Sequence, residues 1–249
     1  MLPLKVYDIQ VAPVKANSIK RDVLESLLSQ CIRPLALIIS GSPIANATSL
    51  LRVASCCDAV IAADYGAAVA IDAGIALDYL VGDMDSLPKE IYNKLAHEHV
   101  NIIAYNVEKD ETDLELALRC AHEQGFKSTV VLNWRGGRID HELACLGAAA
   151  KMANSFAPSG LLLLSDSEII IVVAQGREVN VGKYLAAGQI FSTLPIMAST
   201  VISECGLRWN LQGAKLEVLD PRGISNVVED KSAAIQVESG AIAIIINNH

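Results

Sequence analysis

The feature that most constrains the fold is a regular alternation of short apolar runs and helix-type segments between residues 35 and 153. The apolar runs are almost free of charged residues: Leu35–Ile39, Ala59–Ala63, Tyr79–Val81, Asn101–Ala104 and Thr129–Leu132. Strands without polar alternation are buried on both faces, which is typical of a parallel sheet covered by helices. This part of the chain is therefore predicted to be an α/β domain with a mainly parallel sheet.

Beyond residue 158 the pattern changes to short β-type runs separated by Gly, Asn and Asp. Such spacing favours an antiparallel, all-β sandwich. We therefore predict three segments: an N-terminal extension of unassigned role (1–34), an α/β domain (35–158) and a β-sandwich domain (159–249). Within the extension, Ser18–Gln30 has the spacing of an amphipathic helix.

Composition excludes several functional classes. The net charge of −8 argues against nonspecific binding to nucleic acid or to an anionic membrane. The most apolar stretch is interrupted by Asp64, Asp72 and Asp78, so no membrane span is expected. Six cysteines without a CxxC pair indicate reduced thiols and a cytoplasmic location. The expected partners are therefore small molecules.

Acidic residues follow two of the predicted strands. Asp83 and Asp85 come directly after Tyr79–Val81, and in extended chain their carboxylates would point to one side. Asp110 and Asp113 open a predicted helix, whose dipole favours ionised carboxylates. Paired carboxylates are suitable ligands for Mg²⁺. Exposed turn carboxylates and a Thr112 capping box are the alternative explanation.

A glycine-rich turn follows the last α/β strand. Gly136 and Gly137 precede Arg138, and such a turn at a helix start can face phosphate oxygens. The guanidinium of Arg138 suits a phosphate. Asp140 either caps the helix or serves as a ligand or base, and His141 either caps, packs in the core or takes part in catalysis. Because the carboxyl ends of parallel strands meet at one edge, we expect these groups to converge on a nucleotide-transfer site with Mg²⁺.

Taken together, the motifs resemble those of the thiamine pyrophosphokinase (thiamine diphosphokinase) family. The matching segments keep the family's order: Asp64–Gly66, Gly82–Ser86, Asp110–Asp113, Gly136–His141, Gly188–Pro195, Gly206–Leu211 and Gly223–Asn226. The resemblance implies a Mg²⁺-dependent enzyme that transfers the pyrophosphoryl group of ATP to the hydroxyl of thiamine and releases AMP. It also implies a homodimer with sites shared between protomers.

The resemblance assigns roles to individual residues. Asp83, Asp85, Asp110 and Asp113 would hold Mg²⁺. Arg138 would contact the ATP phosphates beside Gly136, Gly137 and His141, Asp140 would act near the transferred group, and Asp64 would help to bind substrate. Trp209, Ser225 and Asn226 would form part of the thiamine pocket. An indole face also suits the thiazolium cation, although Trp209 packing in the sandwich core is an alternative.

Three departures from the family pattern affect these expectations. Tyr65 stands where a glycine is usual and would crowd the site near Asp64. Cys145 replaces a usual asparagine, and Asn133-Trp134-Arg135 replaces small residues before the glycines, which leaves nucleotide preference open. Two other functions remain: a related pyrophosphokinase acting on a pterin alcohol, and a non-catalytic thiamine-binding regulatory module.

Overall fold

Strands from both halves of the chain form one ten-stranded sheet in the computed structural model, which describes residues 21–42, 46–108, 110–156 and 160–247. The helices are α1 Arg21–Gln30, α2 Ala47–Ala54, α3 Gly66–Asp72, α4 Lys89–His97, α5 Asp113–Glu123 and α6 Ile139–Met152. The first strands are β1 Leu35–Ile39, β2 Ala59–Ala63, β3 Tyr79–Gly82, β4 Asn101–Ala104, β5 Ser128–Leu132, β6 Leu161–Leu164 and β7 Glu168–Ala174. The remaining strands are β8 Arg177–Asn180, β9 Ile190–Pro195, β10 Thr200–Cys205, β11 Leu211–Leu216, β12 Asn226–Val227, β13 Ala234–Ser239 and β14 Ala241–Asn247.

The N-terminal strands are parallel, as the apolar runs predicted. They lie in the order β6-β5-β1-β2-β3-β4, and every neighbouring pair in this run is parallel. All residues of β1, β2 and β5 are buried, which explains the absence of polar alternation in their sequences. The predicted α/β architecture is confirmed.

The C-terminal strands build a sandwich, also as predicted. Strands β7, β14, β9 and β12 extend the large sheet through antiparallel pairs. A second, antiparallel sheet has the order β11-β10-β13-β8. Apolar side chains from both sheets share one core, among them Ile171 and Ile244 from the first sheet and Ile202 and Val237 from the second. The large sheet runs without interruption through the predicted boundary at 158, because β6 pairs with β5.

Helix α1 belongs to this core. Of the predicted helix Ser18–Gln30, residues 18–20 lie outside the described part, and the rest forms α1. Val23, Leu24, Leu27 and Leu28 are buried in the same cluster as Leu35 of β1. The four apolar positions therefore cover one face of the large sheet, while α5 and α6 cover the other.

The topology brings the loops after β1, β2, β3 and β5 to the same edge of the parallel sheet, where open α/β sheets bind ligands. Among the described residues, no helix combines the length and apolar character needed to cross a bilayer.

Candidate active site

A cavity of about 590 Å³ opens at this edge of the sheet. It is lined by Ser40, Gly41, Ser42, Ala63, Asp64, Tyr65, Ser86, Thr112, Asp113, Leu114, Trp134, Gly136, Gly137, Arg138, His141, Ala144 and Cys145. The lining comes from four strand-to-helix loops and the starts of α5 and α6. The predicted convergence of the sequence motifs on one edge is therefore observed for most of their residues.

Three carboxylates lie together beside the cavity. Asp64, Asp83 and Asp85 each have an oxygen within 4.8 Å of the others. The backbone between the last two is a turn rather than extended chain, since Met84 has a φ of 62° and the Asp85 N–H donates to Asp83 Oδ1 at 3.2 Å. The expectation of an extended Asp-Met-Asp segment is wrong. The carboxylates meet because the turn brings both of them back towards Asp64.

Asp64 is the most buried member of the group, with 8% of its surface exposed. Its Oδ2 accepts a hydrogen bond from the Ser86 hydroxyl, whereas its Oδ1 is buried without a hydrogen-bond partner. Burial raises the pKa of the Asp64 carboxyl above its ordinary value, and the charges of Asp113 and Asp83 raise it further. An unpartnered buried oxygen among carboxylates is a position that a cation would satisfy.

Gly82 allows the carboxylates to approach one another. A Cβ added at this glycine would lie 3.0 Å from the Asp64 Cβ and 3.2 Å from Asp113 Oδ1. A larger residue would therefore push Asp64 and Asp113 apart. The structure thus places Asp64 together with two of the predicted metal ligands, Asp83 and Asp85. Its place directly after the apolar run Ala59–Ala63 is the sequence signal that links it to Asp83, which follows the next strand.

The start of α5 keeps its capping role and also contributes to the site. Thr112 is the N-cap residue, and its hydroxyl accepts from the Glu115 N–H at 3.2 Å. The Glu115 carboxylate bonds Lys151 at 3.0 Å rather than completing a capping box. Asp113 lines the cavity, whereas Asp110 is exposed and does not.

The glycine turn, Gly136–Arg138, forms one wall of the cavity. Gly136 and Gly137 have φ values of 117° and 107°, which favour glycine. The Gly136 N–H donates to Glu142 Oε1 at 3.0 Å, so it already has a carboxylate acceptor. Arg138 pairs with Asp140, Nη2 to Oδ2 at 2.5 Å, and this hydrogen bond lowers the pKa of Asp140 to about 2. Asp140 is therefore a poor proton acceptor while this pair persists.

Neighbouring residues shape the rest of the cavity. His141 is exposed, which excludes the alternative that it packs in the core. Its backbone N–H donates to Asp140 Oδ1 at 3.0 Å. Tyr65 is 41% exposed and lines the cavity beside Asp64. Cys145 is buried against the Trp134 carbonyl at 3.8 Å, and burial raises the pKa of its thiol to about 11, so it stays protonated.

The residues predicted for the thiamine pocket lie in the sandwich part, and the cavity lining includes none of them. Trp209 is 57% exposed, which excludes the core-packing alternative in the chain as described. The Arg208 guanidinium lies 5.7 Å from the centre of its indole ring. Ser225 is also exposed, and its N–H donates to Ser192 Oγ at 3.0 Å.

Asn226 has a different place from these two residues. It is 2% exposed, its Oδ1 accepts from the Trp209 N–H at 3.2 Å, and its Nδ2 donates to the Trp209 carbonyl at 2.8 Å. The Asn226 amide therefore fixes the backbone that carries Trp209. The Asn226 amide also contacts Glu204, a residue that no sequence motif marks: Glu204 Oε2 accepts from Asn226 Nδ2 at 3.3 Å.

Fold and site together define an α/β protein with a carboxylate- and glycine-lined cavity, continued by a β sandwich that carries an exposed tryptophan. Two family models match this chain: the catalytic domain of thiamin pyrophosphokinase over residues 50–158, and its vitamin B1 binding domain over residues 177–242. The chain belongs to the thiamin pyrophosphokinase family, as the motifs indicated. The prediction that it falls in a family of enzymes is confirmed at that level.

Individual relatives agree with the family models. Thiamine pyrophosphokinase 1 of Oryza sativa subsp. japonica is 25% identical over 174 residues, or 66% of this chain and 64% of the relative. Thiamin pyrophosphokinase 1 of Caenorhabditis elegans is 25% identical over 171 residues, or 66% of this chain and 67% of the relative. The matched region thus spans slightly less than two thirds of the rice relative. The solved yeast thiamin pyrophosphokinase has the same fold, with a TM-score of 0.68, 16% identity and coverage of 90% of this chain and 89% of that one.

Proposed function

We propose that this chain transfers the pyrophosphoryl group of ATP to the hydroxyl of thiamine, yielding thiamine diphosphate and AMP. The observation that carries the proposal is the cluster of Asp64, Asp83 and Asp85 beside a cavity bounded by the glycine turn. Carboxylates for a divalent cation and a turn for phosphates are the two requirements of such a transfer. In this reaction the thiamine oxygen bonds to the β-phosphorus, the bond from that phosphorus to the AMP oxygen breaks, and the hydroxyl proton is released.

Magnesium fits the carboxylate cluster. The donors are all hard oxygens, and the buried, unpartnered Oδ1 of Asp64 gives one ligand position. Asp64, Asp83 and Asp85 would hold the ion, with Asp113 bordering them, whereas Asp110 is exposed and does not belong to this group. When bound, Mg²⁺ would neutralise phosphate charge as it develops.

The chain's own residues would orient the nucleotide. Gly137 and Arg138 line the cavity, and a backbone N–H and a guanidinium are both suitable donors to phosphate oxygens. Arg138 must exchange its partner Asp140 for phosphate, which leaves Asp140 close to the transferred group. Thr112, Tyr65 and His141 line the remaining volume and limit the orientation of both substrates.

We further propose that the active unit is a homodimer. All residues that line the cavity lie between Ser40 and Cys145, whereas Trp209 and Ser225 are exposed elsewhere in the chain. In the proposed homodimer, the sandwich part of a second copy would bring the second set of residues to the cavity. Thiamine would then stack on Trp209, whose indole face attracts the thiazolium cation.

We place the protein in the cytoplasm, with ATP and thiamine as partners and without a role in nucleic-acid binding. All six cysteines are free, which fits a reducing compartment. The net charge of −8 disfavours polyanionic partners other than a nucleotide bound through a metal ion.

A coupled assay tests the reaction. With ATP, Mg²⁺ and thiamine, we expect AMP and thiamine diphosphate to appear in equal amounts, and EDTA to abolish both. Asp83→Asn and Asp85→Asn should each remove turnover with little change in melting temperature, because neutralising one of several adjacent carboxylates relieves repulsion. Asp72→Asn, at an exposed position at the end of α3, is the matched control and should behave as the parent.

The same assay, together with a measurement of thiamine binding, discriminates the pterin pyrophosphokinase and the regulatory module from the proposed enzyme. Product formation from a pterin alcohol but not from thiamine would establish the pterin pyrophosphokinase. Thiamine binding without AMP release would establish the regulatory module. Near-normal turnover in both Asp83→Asn and Asp85→Asn would refute the metal-site assignment.

A further inference from the structure

The glycine turn has little of its own to hold it in place. Two consecutive glycines lose much conformational entropy when they are ordered. Arg138, the N-cap residue of α6, makes no side-chain capping hydrogen bond. A defined position of this wall of the cavity therefore depends on neighbouring elements.

Arg135 supplies one such connection, beside the Ser42 hydroxyl, which lies 3.1 Å from the Gly136 carbonyl oxygen. Its Nε lies 3.5 Å from Glu142 Oε2 on α6, and its Nη1 pairs with Glu168 Oε1 at the start of β7. The other oxygen of Glu142 accepts the Gly136 N–H at 3.0 Å. One guanidinium thus ties the first glycine of the turn, through Glu142, to a strand of the sandwich part.

Further hydrogen bonds hold the Glu168 carboxylate and the backbone of Arg135 in place. Glu168 Oε2 accepts from the hydroxyls of Ser165 and Ser167 at 2.5 and 2.8 Å. The Ser42 hydroxyl donates to the Arg135 carbonyl at 2.6 Å. A planar guanidinium with several donors can serve two carboxylates at once, which an ammonium cannot do in the same geometry.

Arg135 also neutralises the negative charge of two carboxylates. The side chains of Glu142 and Glu168 are only 20% and 18% exposed, and Glu142 contacts the turn itself. Without Arg135, both carboxylates would lose this cationic partner, and the charge of Glu142 would lie against the turn itself. Arg138 differs, because its side chain is 68% exposed and lines the cavity, whereas Arg135 does not line it.

We propose that Arg135 is a positioning residue that fixes the glycine turn for the phosphates of the nucleotide by bridging Glu142 and Glu168. The inference rests on the proposed function, since it assumes that the turn receives a nucleotide. It gives a role to a position of the Asn133-Trp134-Arg135 segment, which departs from the small residues usual in the family.

Steady-state kinetics of Arg135→Gln test the proposal. We expect KM for ATP to rise roughly tenfold or more, because a small displacement of a binding loop has a large effect, while KM for thiamine stays within about twofold. Arg135→Lys should recover part of the ATP affinity, since it keeps the charge but loses the bridge. Arg33→Gln is the matched control: Arg33 pairs with Asp58 at 2.7 Å, next to the start of β1 and away from the cavity.

Further variants and a binding measurement keep the test decisive. If Arg135→Gln does not fold, Arg135→Lys and Glu168→Gln carry the test, and each should raise KM for ATP selectively by a smaller factor. Calorimetry of Mg-ATP binding gives a readout independent of turnover. A wild-type chain that binds Mg-ATP but makes no thiamine diphosphate would refute the proposed function alone, and the variants' binding would still decide the role of Arg135.

Two results would overturn the role of Arg135. One is an ATP affinity in Arg135→Gln equal to that of Arg33→Gln. The other is an equal rise of both KM values together with a lower melting temperature, which would indicate a general loss of structure. A wild-type chain without any Mg-ATP binding would overturn both proposals together.

Discussion

At the scale of single residues, Glu204 is a buried acid that the fold retains at an energetic cost. It is 3% exposed, and its Oε1 has no hydrogen-bond partner. Burial raises the pKa of its carboxyl above the ordinary value of 4.5, although the hydrogen bond from Asn226 lowers it in part. Because Asn226 fixes the backbone of Trp209, Glu204 also supports the residue proposed to bind thiamine.

Glu204→Gln should stabilise the protein, and more so as the pH rises. An acid whose folded-state pKa is raised stabilises the folded state below its unfolded pKa of about 4.5, and this stability is lost as the pH rises through the folded pKa. Because the variant has no carboxyl group at this position, its stability does not fall in this way as the pH rises. Its amide can also donate to Thr193 Oγ1, which has no partner in the parent. Thermal unfolding at pH 5 and pH 8 measures the effect, and an equal difference in melting temperature at both values would contradict it.

Site residues that belong to a short sequence motif could be predicted, whereas those that depend on partners far away in the chain could not. Asp83, Asp113 and the glycine turn follow strands in recognisable motifs, and they lie at the cavity or beside it. Asp64 was expected among substrate-binding residues, but it completes the carboxylate cluster. Neither Arg135 nor Glu204 was assigned a role, because Arg135 also depends on Glu168 and Glu204 on Asn226, each more than 20 residues away in the chain.

At the scale of elements, the buried strands were predicted almost to the residue, since an uninterrupted apolar run has few alternative boundaries. Two C-terminal strands are harder to predict: β11, Leu211–Leu216, and β12, Asn226–Val227, which is buried but only two residues long. Strand β11 is an edge strand with mostly exposed or half-exposed residues, so its sequence carries little hydrophobic pattern. The continuity of the sheet across β5 and β6 was also missed, because pairing depends on long-range contacts.

The packing of α3 on β1 gives a prediction at this scale. A Cβ added at Gly66 would lie 2.0 Å from the Ile39 carbonyl oxygen, which is backbone and cannot move aside cheaply. Gly66→Ala should therefore displace α3, destabilise the protein by about 1–3 kcal/mol and lower activity through Asp64 and Tyr65. Chemical denaturation and the coupled assay measure these effects.

Gly147→Ala provides the control for that experiment. Gly147 lies within α6 with no atom within 4 Å of an added Cβ, so alanine should stabilise the helix by roughly 0.5–1 kcal/mol. If Gly66→Ala were as stable as Gly147→Ala, the close approach of α3 to β1 would not limit the choice of residue at position 66.

At the scale of the whole molecule, the two halves carry the residues that we propose for metal and phosphate and those that we propose for thiamine. The α/β part carries the carboxylates and the glycine turn around the cavity, and the sandwich part exposes Trp209 outside it. Two exposed apolar side chains lie among or beside the proposed thiamine residues: Trp209, at 57%, and Ile224, at 47%. A two-fold dimer would bury such surface twice and complete two sites.

Mixing two inactive variants tests this assembly. Asp85→Asn disables the metal site of one chain, and Trp209→Ala disables its thiamine surface, with thiamine kept well below the KM of that variant. In a mixed dimer with shared sites, one site receives both defects and the other receives neither. Random exchange of equal amounts gives about half mixed dimers, so about a quarter of all sites should work.

If each site were built within a single chain, every site would keep one defect, and the activity would remain at the average of the two parents. Differently tagged chains confirm that exchange has taken place, so parental activity in the co-purified mixed dimer would exclude the shared site and leave the assigned reaction unaffected.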